Sequence, residues 1–155
     1  MCTPTAQDYY SPHRVDDPGI GATDRLLRHC RVPVQIVPRK ANGTTVGLKI
    51  SDQAFKAKKG EPGISVDHEC LLVAAGKTWH DRYGLMPNTY AMIAVTAGEA
   101  RAHSPGVAWT PKPADPDLTG AASLENPYHG EIIAPMSNAQ VRALFALAAL
   151  VKCEL

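Results

Sequence analysis

His129 and Glu131 stand one residue apart in Tyr128-His129-Gly130-Glu131. Tyr128 to Ile133 reads as a strand, in which positions i and i+2 share a face and lie about 6.5–7 Å apart along the backbone. A histidine that titrates near neutrality can move a proton beside a carboxylate that stabilises developing positive charge. Gly130, between them, leaves room for another backbone or a ligand to approach closely. The plainer alternative is the polar, solvent-facing side of a half-buried strand.

Other reactive clusters are less coherent. His68-Glu69-Cys70 opens an expected helix, where neighbouring residues diverge by about 100° and do not converge on one ion. The sequence contains no H-E-x-x-H, C-x-x-C, EF-hand or Walker A pattern, so no metal site is expected. Lys56, Lys58 and Lys59 share a turn-rich stretch, with Arg39-Lys40 on the preceding turn. Lys56 and Lys58 are therefore candidate ligand-binding residues on a phosphate-attracting edge, against the alternative of a solvated loop. Trp79 and Trp109 would stack bases if exposed, but both are expected in the core.

Taken in order, Arg31, Ser65 and Glu131 resemble the Arg–Ser–Glu constellation of ADP-ribosyltransferases. That resemblance implies that Arg31 holds the pyrophosphate of NAD and that Ser65 steadies Glu131. Glu131 would bond the nicotinamide ribose and favour an oxocarbenium-like transition state. The chain departs from the pattern in having no S-T-S around Ser65, and His129 where a Glu or Gln would precede Glu131. At the level of the whole chain, Arg31-x-Pro33, Ala54-Phe55, Ile64-Ser65-Val66 and Asn126-Pro-Tyr-His129 resemble small bacterial proteins without an assigned activity. This second resemblance covers about residues 28–152; it implies a bacterial cytoplasmic origin and no mechanism.

The elements that must position these groups fit one domain, since 155 residues fall within the usual span of about 100–200. Lys+Arg 16 against Asp+Glu 15 leaves a net charge of +1, which makes a dedicated nucleic-acid surface unexpected. The opening residues lack a basic and then apolar leader, and no apolar run approaches the ~20 residues of a membrane span. The expectation is a cytoplasmic chain whose cysteines, Cys2, Cys30, Cys70 and Cys153, are free thiols, with Cys70 and Cys153 as small core hydrophobes.

Residues 1–22, rich in Pro and Gly, read as a flexible or extended tail that is dispensable for folding, with Tyr9-Tyr10 as an anchor to the body or a partner. Residues 23–155 form the globular domain. Thr23 or Asp24 caps a helical turn over 25–30. Alternation in Val32, Val34 and Ile36 predicts an edge strand over 31–38, and Asn42-Gly43 turns it back into 44–50. Residues 63–67 form a strand, 68–83 a helix and 89–97 a central strand. A helical turn over 98–102 and a strand over 106–110 follow. The proline-bearing stretch 111–126 is irregular. Ser137-Asn-Ala-Gln140 is a capping box that opens a helix reaching Val151.

The fold class expected is α+β, a mixed, mostly antiparallel sheet of about five to six strands with two main helices packed on it. Without a specific catalytic motif, the leading function is a non-catalytic interaction or accessory protein, its partner another protein and its cofactor none. The alternative is a nucleotide- or NAD-using enzyme with Glu131, His129 and Ser65 as catalytic residues and Arg31 as ligand anchor.

Overall fold

Alternating apolar side chains supply the strands, and the computed structural model, which describes residues 2–32, 35–86 and 90–153, arranges them around one central sheet. The strands in chain order are β1 (Arg25–Arg31), β2 (Ile36–Ala41), β3 (Thr44–Ile50), β4 (Gly63–His68) and β5 (Tyr90–Thr96). They continue with β6 (Val107–Trp109), β7 (His129–Ile133) and β8 (Ala149–Cys153). The helices are α1 (Glu69–Ala74), α2 (Trp79–Tyr83), α3 (Ala97–His103) and α4 (Asn138–Leu147). Six strands form the sheet in the order β6-β7-β4-β1-β5-β8, paired antiparallel throughout, while β2 and β3 make a separate hairpin. The fold is α+β.

The two faces of the sheet are covered differently. On one, Leu26, Cys30, Val66, Ile93, Val95 and Ile132 pack against α3, α4, Phe55 and Ile36. On the other, Leu27, Met92 and Ala94 pack against Leu72 of α1, with Trp79 and Tyr83 of α2 alongside. This smaller core covers only part of its face, and the polar residues of the candidate site occupy the remainder.

Five expectations are corrected. The helical turn over 25–30 is the interior strand β1, paired with β5 from Arg25↔Thr96 to Arg31↔Tyr90. Apolar cores on both faces leave adjacent Leu26 and Leu27 equally buried, which erases the alternation expected of a strand. The single helix over 68–83 is two, α1 and α2, separated where Gly76 adopts φ +72°. The helix from Ser137 stops at Leu147, and Val151 lies in β8, which pairs with β5. Cys70 is no free core thiol: it is half-buried and bonded to Cys2, with Cα atoms 5.7 Å apart. Cys30 is a buried thiol whose pKa burial pushes up to about 11. The strand expected over 31–38 is also displaced: Arg31 ends β1, Val32 and Gln35 lie in turns and β2 starts only at Ile36, while 33, 34 and 89 lie outside the described residues.

Residues 2–20 run over the body as two arms. Cys2 bridges Ile20, Thr3 N donates to Gly19 O at 2.9 Å, and Thr5 N donates to Asp17 Oδ2 at 2.7 Å. Ala6 then bridges Trp109 at the β6 edge, and Ile20 is fully buried in the larger core.

Candidate functional site

The site is built on the partly covered face by strand register. Ser65 pairs with Glu131 and Asp67 with His129 across β4 and β7, so all four side chains emerge on one face. Leu27 pairs with Asp67 and carries that face onto β1, where His29 follows two residues later. β1 and β4 pair only at Leu26↔His68 and Leu27↔Asp67, and beyond that point the two strands part. Arg28 spans the gap, its guanidinium donating to Ala54 O and, at 2.8 Å, to Ser65 O. A cavity of about 330 Å³ opens there, walled by Arg28, His29, Ser65, Asp67, Arg82 and His129 among others.

Asp67 organises one end of this cavity. Its buried carboxylate accepts from Arg82 Nε at 3.0 Å and from Asn126 Nδ2 at 2.6 Å, and it faces His29 Nδ1 at 3.9 Å. His129 Nδ1 lies 2.9 Å from Thr110 O; donation to that carbonyl leaves the lone pair of the neutral ring on Nε2. Burial lowers the pKa of His129, opposed by the bond to the Thr110 carbonyl and by the Glu131 charge. Burial also lowers His29, with Asp67 acting against it. The Arg28 guanidinium is held below its ordinary value by burial too, yet an arginine remains cationic in proteins. With Arg28, Arg82 and Lys112 against the single carboxylate Asp67, the cavity wall carries excess positive charge.

Glu131 faces a second cavity of about 340 Å³, which shares Tyr9, Ser65 and His129 with the first. Its buried carboxylate pairs with Arg14 Nε, and the Arg14 side chain is only 2% exposed. The Tyr9 ring meets the His129 ring edge-on at 5.2 Å, between the two cavities. Burial and then the Glu131 charge raise the Tyr9 pKa, so its hydroxyl stays protonated at neutral pH.

Ser65, His129 and Glu131 are thus brought together, with Ser65 exposed and the other two buried. Arg31 is not brought to them. It sits exposed at the far end of β1, opposite Tyr90, with its backbone N–H donating to Gln35 Oε1 at 2.6 Å. Arg28 is the guanidinium that reaches the cleft. Lys56 and Lys58 line a separate cavity of about 270 Å³ with Met136 and Asn138. Sequence reasoning missed Arg28 because it placed 25–30 in a helix, and it read Asp67 only as the end of the strand over 63–67. Arg82, Asn126 and Arg14 carry no local signal, since each joins the site through distant chain. Cys2, Asp24 and Cys70 bring ligand atoms within 4.8 Å of one another, but both sulfurs are committed to the disulfide.

Comparison with family models, with curated proteins and with solved structures finds no match to this chain. No helix among the described residues is long and apolar enough to cross a membrane.

Proposed function

We propose that the cleft between β1 and β4 binds an anionic nucleotide-type ligand, with NAD as the expected one, and that the chain is an enzyme of ADP-ribosyltransferase type. One observation supports this above the others: Ser65 and His129 line the cavity beside a guanidinium, Arg28, held where the two strands part, and both also line the adjoining cavity that Glu131 faces. Arg28, with its remaining N–H groups, would hold the pyrophosphate in place of Arg31. A bacterial cytoplasmic setting, implied by the whole-chain resemblance, belongs to the same reading.

In this reading Glu131 bonds the nicotinamide ribose. As the glycosidic C–N bond breaks, nicotinamide leaves with the bonding pair and the carboxylate stabilises the oxocarbenium charge left on the ribose. Ser65, paired with Glu131 across the strands, steadies the carboxylate. The neutral His129 ring, fixed by Thr110, offers Nε2 to take the proton of the acceptor nucleophile.

Calorimetric titration with NAD and ADP-ribose, in the presence of dithiothreitol, tests the ligand assignment. The wild type is expected to bind both. Arg28→Gln should weaken binding by about 10- to 100-fold, as the loss of charged hydrogen bonds implies. Ser65→Ala, which alters an exposed side chain, should bind NAD normally and turn it over more slowly. No binding by the wild type favours the second reading, a non-catalytic interaction protein. That reading draws on Leu118 and Leu124, 47% and 49% exposed on the proline-bearing segment before β7.

A further inference from the structure

The tip of the N-terminal segment lies across the group on which the proposed chemistry depends. Arg14 donates to the backbone carbonyls of Asp8, Tyr9, Ser11 and His13, so residues 8–14 curl around one guanidinium. That guanidinium is delivered to the Glu131 carboxylate, and both side chains are almost fully removed from solvent. A buried carboxylate whose charge is neutralised by a buried cation attracts a developing positive charge on a substrate less than a bare one would. Tyr9, in the same tip, stands in the walls of both cavities and against His129. Each cavity alone, at about 330 and 340 Å³, is near the lower limit for a small-molecule pocket. Tyr9, with Ser65 and His129, is lining common to both cavities, so its withdrawal would enlarge the space between Asp67 and Glu131.

The arms of this segment are fastened unequally. The returning arm is built into the body: Asp17 N donates to Val107 O at 2.9 Å, Asp16 Oδ1 accepts from Arg101 and from Val107 N, and Ile20 is buried. The leading arm is fixed by a few backbone bonds and, at its start, by the covalent link from Cys2 to Cys70 at the start of α1. That link joins residues 68 positions apart. A disulfide in a reducing compartment is more often a redox-responsive bond than a permanent staple.

We propose that residues 8–14 are an autoinhibitory strap, latched by Arg14 on Glu131, and that reduction of Cys2–Cys70 releases it. The inference rests on the nucleotide-cleft reading above. The reducing step needs a dithiol. One thiolate attacks a sulfur of the Cys2–Cys70 bond, and the second resolves the mixed disulfide. Two electrons and two protons pass to the cysteines, leaving two thiols and an oxidised, cyclic dithiol. The leading arm then loses its covalent anchor, and the tip is held closed only by Arg14 and by the backbone bonds of Thr3, Thr5 and Gln7, with Asp16 and Asp17 as the hinge that keeps it attached.

Hydrogen exchange followed by mass spectrometry reads the strap without any ligand. In the oxidised wild type, peptides spanning Gln7 to Val15 should exchange slowly, since Gln7 N, Ser11 N and Val15 N are bonded to Trp109, Asp8 and Gln7. Dithiothreitol, Cys2→Ser and Arg14→Ala should each speed that exchange at least about tenfold, with β5 and α4 unchanged. The same three changes should strengthen NAD binding by about tenfold or more. Exchange that is indifferent to reduction and to Arg14→Ala overturns the strap. Exchange that opens while NAD binds both states equally overturns its inhibitory role. Exchange that opens with no NAD binding in either state overturns the nucleotide assignment of the cleft, and with it the inhibition.

Discussion

Gly130 lies directly beneath the His68 ring, so that a Cβ added at 130 would stand 1.8 Å from His68 Nε2. The same Nε2 atom lies 3.0 Å from Ala108 O, which fixes the ring between β4 and β6. The residue that separates His129 from Glu131 is therefore glycine because a buried imidazole occupies its missing side-chain position. Gly130→Ala forces the ring or β7 to move, and should cost about 1–3 kcal/mol, as overpacking typically does. A thermal melt reads the loss, and an unchanged melting temperature would show that the ring has room to turn away.

Stability should also fall in mild acid. Burial depresses the pKa of His29, His68 and His129 below the ordinary 6.5. The unfolded chain therefore takes up protons before the folded one does, as pH drops from 6.5 toward the lowered values. Above 6.5 both states are neutral at these positions and the full stability is present. Below it, stability declines by up to about 1.4 kcal/mol per pH unit for each histidine, until the folded pKa is passed. Two of the rings have a buried nitrogen without a hydrogen-bond partner, His29 Nε2 and His68 Nδ1, so a proton gained there finds no acceptor. Denaturant midpoints at pH 7.5 and pH 5.5 check this. A higher midpoint at pH 5.5 would contradict it.

At the end of the chain, the cap and the core face of α4 can be separated. Ser137 Oγ accepts from Gln140 N at 3.1 Å while Gln140 Oε1 accepts from Ser137 N at 2.7 Å. Ser137→Ala should cost about 1 kcal/mol. Leu144 is fully buried, and Leu144→Ala should cost about 2–5 kcal/mol. Phe145 is only half-buried at the margin of the same core, so its truncation should cost less than that of Leu144. Melts of the three variants give the order directly.

These residues also show what the sequence could convey. The Ser137 box, the turn at Asn42-Gly43 and the strand carrying His129 and Glu131 were legible because each depends on neighbours in the chain. β1 was not, since a strand buried on both faces has no alternation to read. Nor was β8, because Ala149, Leu150 and Val151 continue the apolar run of α4 and only the edge of β5 makes them a strand. The pairing of His129 with Glu131 follows from strand parity alone. Their meeting with Ser65 needs the β4–β7 register, and Arg28 joins them only because β1 and β4 part after Leu27. Arg14 lies 117 residues from the carboxylate it covers, a contact no local pattern encodes.

Nicotinamide release measures most directly whether Glu131 acts on NAD. The comparison is Arg14→Ala against Arg14→Ala/Glu131→Gln, both reduced, both at saturating NAD. Glu131→Gln keeps the shape and removes the charge. Measurable release is expected from the first protein and a loss of about 100-fold or more in the second, with NAD affinity little changed. Equal release by both proteins, or NAD bound by the first with no release at all, would contradict the action of Glu131 on NAD.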